Sequence, residues 1–156
     1  MEATEKASRK EDDKMRVEDL SVWSFGMTGI IAGLLAGVLN NAWMSIFPLV
    51  TSHDAGPAFV DAMSVSILSF STMFLGALIY YMLCNLSMNR GTRIYMSIAT
   101  VLTLASIYLP FNPEIITGFF SHNGNMSGFM EMTLPMHIMA GLIGILFIPW
   151  LVYQNR

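Results

Sequence analysis

Charge is what this sequence has least of, and the places where it is missing set the architecture. Only 12% of its 156 residues are Asp, Glu, Lys or Arg, and 54% are hydrophobic, against about 25% charged in an ordinary soluble domain. No Asp, Glu, Lys, Arg or His lies between Asp19 and His53, between Asp61 and Arg90, between Arg93 and Glu114, or between His137 and Arg156. Each gap approaches or exceeds the roughly 20 apolar residues that a helix needs to cross a hydrocarbon core about 30 Å thick. Cysteine is nearly absent too. The lone Cys84 excludes an internal disulfide and any cysteine-rich metal site.

Familiar catalytic signatures are also missing. There is no G-x-S-x-G, H-x-x-x-H, C-x-x-C-H or P-loop, and no carboxylate pair at mid-span. Haem held by two transmembrane histidines within one chain is excluded, because His137 is the one histidine inside an apolar run. No enzyme activity, cofactor or nucleic-acid partner is expected.

What remains is four apolar runs, at about 22–47, 62–87, 94–110 and 130–152. Lipid offers no hydrogen-bond partners, so a crossing segment must satisfy its own backbone as a helix or a closed barrel. Uninterrupted runs without period-2 alternation select helices, and short connections make consecutive helices antiparallel neighbours. The expected fold is an all-α membrane protein, an antiparallel four-transmembrane-helix bundle over 21–153. Residues 1–20 carry seven acids and five bases up to Asp19 and read as a charged, disordered tail. The tail runs straight into a full-length span, so the first helix reads as a permanent anchor rather than a cleaved signal.

Orientation follows from the basic residues. Five of the eight Lys and Arg lie in the tail, Arg90 and Arg93 in the second loop and Arg156 at the end. The positive-inside rule places both termini and "SMNRGTR" of a multi-pass chain in the cytoplasm, with the loops 48–61 and 111–129 outside. The outer rim is then left with Asp54, Asp61, Glu114, Glu131, His53 and His122. Such a rim can attract divalent cations or cationic ligands, but loops need polar residues in any case, and metal-ligand spacing such as H-x-x-x-H is absent.

In the first run Gly26, Gly29, Gly33 and Gly37 share one side, a smooth stripe for close helix approach. Packing within the bundle is the plain reading of that stripe, and a homo-oligomer through Gly29, Gly33 and Gly37 the sharper one. Asn40 and Asn41 follow, just before a terminating Pro48, and should face the interior, because amides in a span are unfavourable unless they meet partners. In the second run Ser69, Thr72, Gly76 and Tyr80 form a weaker polar stripe. In the fourth, Thr133, His137, Gly141 and Gly144 lie on one face, with Pro135 loosening the first turn. Gly141 and Gly144 belong to the packing set.

At 1.5 Å per residue, His137 and Asn41 both lie about 9 Å below the outer surface. The expected site is an outward-facing pocket of Asn40, Asn41 and His137, with Asp61, Ser64 and Glu131 at its mouth. Histidine there can carry a proton, bind a metal or join helices through Asn40 or Asn41. Fourteen methionines add a further possibility, since "GNMSGFMEMTLPMHIM" brings thioethers, which bind soft Cu(I), up to His137. Methionine is also an adaptable core filler, and M-x-x-x-M-x-M is looser than a dedicated copper motif.

A small-rich first span ending "NNAW", a loop "NRGTR", a third span ending "YLPF" and a last span "LPMHIMAGLIGILFIPWL" together resemble a family of four-helix bacterial membrane proteins classed as a domain of unknown function. The likeness covers about residues 22–153 and is most specific at Met136, His137, Ile148 and Pro149. It implies a four-span fold and special interest in His137, and carries no activity to transfer. Function therefore rests on composition: a non-enzymatic binding, accessory or structural membrane component, or alternatively a small transporter or channel subunit using the His137 pocket for a proton or metal ion.

Overall fold

A computed structural model describes residues 21–51, 61–112 and 128–154. The charged tail, His53, Asp54, Glu114, His122 and Arg156 lie outside the described residues. Within them the chain is helical, with no strand, and it forms four helices long and apolar enough to cross a membrane. These are α1 (Val22–Val50), α2 (Ala62–Cys84), α3 (Met88–Phe111) and α4 (Phe129–Gln154).

Each helix starts where the local chemistry lets it. Ser21 caps α1, its hydroxyl accepting from the Ser24 N–H. Asp61 caps α2 in the same way through Ser64, satisfying an amide that has no partner within the helix. Gly128, at φ 76°, turns the chain into α4 through a left-handed conformation that glycine adopts without a Cβ penalty.

The helix bounds differ from the apolar runs, and α2 stops at Cys84, short of 87. α1 continues through Pro48 to Val50, because a proline near a helix end removes only one of the last backbone bonds. α3 starts at Met88 and so takes in Arg90 and Arg93, with the Gly91 N–H bonded to the Ser87 carbonyl at its first turn. Pro135 lies within α4 without ending it. Farther along, α4 passes through one π turn, Ile143–Phe147, before resuming α geometry over Ile148–Gln154.

Packing pairs α1 with α2 and α4, and α3 with α2 and α4. A Cβ on Gly29 would stand 2.9 Å from Ala77 Cβ, and one on Gly33 2.9 Å from Phe70 Cα, whereas at Gly37 the nearest atom, Ser66 Cα, is 3.8 Å away. The contacts descend α2 as they climb α1, so these helices run in opposite directions. Gly91 is pressed against Leu83, and Gly141 against Thr103, which brings α3 close to α2 and to α4. The main core holds Phe25, Ala32, Ala36, Met73, Ala77, Tyr80, Tyr95 and Ile148. A second, smaller cluster of Phe47, Met132 and Met136 lies toward the opposite end of α1. Leucine and valine also cover the outside, at Leu34, Val38, Leu68, Val101 and Leu104, the all-round apolarity of helices with the composition of membrane spans.

Candidate functional site

Thr28, Ala32, Ala36 and Asn40 recur every four residues on α1 and are all buried. Asn40, 4% exposed, donates through Nδ2 to Ser69 Oγ at 3.2 Å. Asn41 stands about 100° further round the helix and uses both amide hydrogens, donating to the Gly37 carbonyl and to Ser66 Oγ, each at 2.8 Å. The Ser66 hydroxyl passes the chain on to the Ala62 carbonyl at 2.7 Å. Two amides in series thus tie α1 to α2, which gives these polar groups a partner in an apolar setting.

The amide oxygens are a different matter. Among the described residues the buried side-chain polar atoms without a hydrogen-bond partner are Thr28 Oγ1, Asn40 Oδ1 and Asn41 Oδ1. All three lie on α1. An orphan acceptor of this kind is unfavourable in a low dielectric and marks a place that a donor would fill.

His137 is half-buried and, among the described residues, takes no hydrogen bond from or to Asn40 or Asn41. On the face of α4 that carries His137, Gly141 is pressed against Thr103 of α3 and Gly144 has Met73 of α2 as its neighbour. The asparagines are turned to α2. The levels of His137 and the asparagines nevertheless agree. The Trp43 indole donates to the Met132 carbonyl at 2.8 Å and fixes the register between α1 and α4. From that bond Asn40 is three residues along α1 and His137 five residues along α4, a difference of about 3 Å at 1.5 Å per residue.

Asp61 and Ser64 form a closed pair at the start of α2. The two carboxylate oxygens accept from the Ser64 N–H and the Ser64 hydroxyl, both at 2.8 Å, and these bonds hold the Asp61 carboxyl below the usual carboxylate range. Glu131 is exposed in the first turn of α4, where a negative charge complements the helix dipole. Of the expected pocket residues Asn41 lines a groove of about 540 Å³ between α1 and α2, with Gly33, Gly37, Ser66, Phe70 and Ser71. His137 does not line it. Among the described residues no three His, Cys, Asp or Glu side chains gather as a metal site.

Hydrogen bonds outside the expected pocket join the other helices. Tyr80 and Thr92 share one at 2.9 Å between α2 and α3, and Tyr95 donates to the Gly144 carbonyl at 3.0 Å between α3 and α4. Tyrosine within an apolar run is itself the signal, since a buried phenol needs a partner for its hydroxyl. Gly144 lies within the π turn, and Met73 is the neighbour of its open side. No family model, curated protein or solved structure matches the chain, so no activity reaches these residues by similarity.

Proposed function

We propose that this chain is a non-enzymatic, four-span component of a bacterial cytoplasmic membrane, an antiparallel helix bundle with both termini in the cytoplasm, serving as a binding, accessory or structural element. The observation that carries this reading is where the polar side chains go. Asn40, Asn41, Trp43, Tyr80 and Tyr95 each reach a neighbouring helix, so the polar groups of the spans join helices rather than converge on a reacting centre. Orientation rests on the positive-inside rule: Arg90 and Arg93 open α3 at the end opposite Asp61 and Glu131.

The Gly29, Gly33 and Gly37 stripe is taken up by α2 of the same chain, and packing is the reading of it that we carry forward. A second reading, a transporter or channel subunit, is favoured by the orphan Asn40 and Asn41 oxygens level with His137. Proton flux into liposomes carrying the protein decides between them. The scaffold reading expects no flux above empty vesicles, and a flux abolished by His137→Ala would overturn it in favour of transport. Accessibility of terminal tags from outside the cell would overturn the orientation.

A further inference from the structure

Met132 and Met136 are one turn apart on α4 and both are buried, 2% and 8% exposed. With Phe47 of α1 they form one cluster, and Met44 and Trp43 of α1 and Val65 of α2 pack against that cluster. An i, i+4 pair on one helix and a third side chain from the facing helix is the arrangement that lets two helices chelate one ion. Here all three side chains end in thioethers. Leucine would fill the same space with less rotamer freedom to lose, so packing alone does not explain why methionine recurs at this spot. Met132 and Met136 alone offer two thioethers, and folding brings Met44 of α1 to the same cluster.

We propose that Met44, Met132 and Met136 form a binding site for a soft monovalent cation, Cu(I) or its analogue Ag(I). Thioether sulfur is a neutral, polarisable ligand that favours such ions and discriminates against Mg²⁺, Ca²⁺ and Na⁺, which seek oxygen. A single positive charge is also easier to desolvate than a double one in this apolar shell. The Trp43 indole, held beside Met132 by its bond to the Met132 carbonyl, offers an aromatic face to a cation. Asp61 and Glu131 are exposed at the same end of the helices and attract cations toward it. His137 follows Met136 directly, but at about 100° per residue it stands on another side of the helix, and it is not a member of the set. The site stands whether the chain is a scaffold or a transporter, because it uses neither His137 nor the asparagines.

The test is native mass spectrometry of the full-length protein in detergent micelles titrated with Ag(I), which binds without redox chemistry. Wild type should retain one Ag(I) that is lost in Met132→Leu/Met136→Leu and weakened in Met44→Leu. Cys84→Ser, His137→Ala and Met130→Leu/Met139→Leu should keep it. The proposal is overturned if wild type retains no silver, if the Met132/Met136 double variant binds as wild type does, or if Cys84→Ser or His137→Ala removes the ion. Should the double variant fail to fold, Met44→Leu decides alone, and unchanged binding there overturns the site.

Discussion

Tyr95 on α3 donates its hydroxyl to the carbonyl of Gly144 on α4 at 3.0 Å, and the reason is written in the π turn. The Ile148 N–H, which would serve Gly144 in an α-helix, is bonded to Ile143. The next residue able to serve it, five positions on, is Pro149, which has no N–H. The Gly144 carbonyl is therefore left without a donor four or five positions on in its own helix. Tyr95 supplies the donor from outside.

Tyr95→Phe keeps the ring that meets Tyr80 at 4.7 Å with a 37° tilt and removes the hydroxyl alone. Stability should fall by about 1–3 kcal/mol, the usual range for orphaning a buried acceptor. Adding Pro149→Ala restores a backbone N–H near the turn, so the double variant should lose less than the two single losses added together. Denaturant or thermal unfolding followed by circular dichroism in micelles measures all four members of the cycle, and simple additivity would refute the account of the π turn.

Gly29 and Gly26 make a matched pair on the same face. A Cβ at Gly29 would come within 2.9 Å of both Ala77 Cβ and the Phe74 backbone, while at Gly26 the nearest atom is 3.9 Å away. Gly29→Ala should therefore push α1 off α2 and destabilise by about 1–3 kcal/mol. Gly26→Ala should be neutral or slightly stabilising, because alanine holds helix better than glycine. Equal melting temperatures for the two variants would show that α1 and α2 do not approach at Gly29.

Much of this was legible in advance, for stated reasons. Four charge-free gaps announced four membrane-length helices, because desolvating a charge is too unfavourable to be hidden in an apolar span. Gly29 and Gly33 announced a close approach, because no other residue leaves so much room. The partner of Asn40 was not legible. Ser69 lies on another helix, and which residues face across an interface depends on the rotation of both helices, which periodicity within one helix does not fix. The π turn was hidden for a related reason: Pro149 shows where an N–H is missing, but not how the helix absorbs the loss.

The Trp43 indole bond to the Met132 carbonyl is a clamp between α1 and α4 near one end of the spans. Trp43→Phe keeps much of the apolar contact with Phe47, whose ring lies 6.1 Å away, but breaks the bond. A loss of about 1 kcal/mol is expected for an interhelical bond of this sort, with faster amide exchange at the start of α4 than at its other end. Uniform exchange along α4 in the variant would argue against a local clamp.

The Asp61 cap gives a pH signature with a definite sign. Its folded carboxyl is held below the ordinary value of 3.8 by the N–H and hydroxyl of Ser64, so the charged form is the one the fold prefers. The stabilisation is fully present well above 3.8 and is lost as pH falls toward and through the lower folded value, when the protonated carboxyl accepts less well from the Ser64 N–H. Asp61→Asn retains a good capping side chain but cannot ionise. Hydrogen exchange at the Ser64 amide, followed down the acid range, should therefore show increasing loss of protection in the wild type and a flat profile in Asp61→Asn, after correction for the intrinsic exchange rate. An equal acid dependence in both proteins would mean that another carboxylate controls the start of α2.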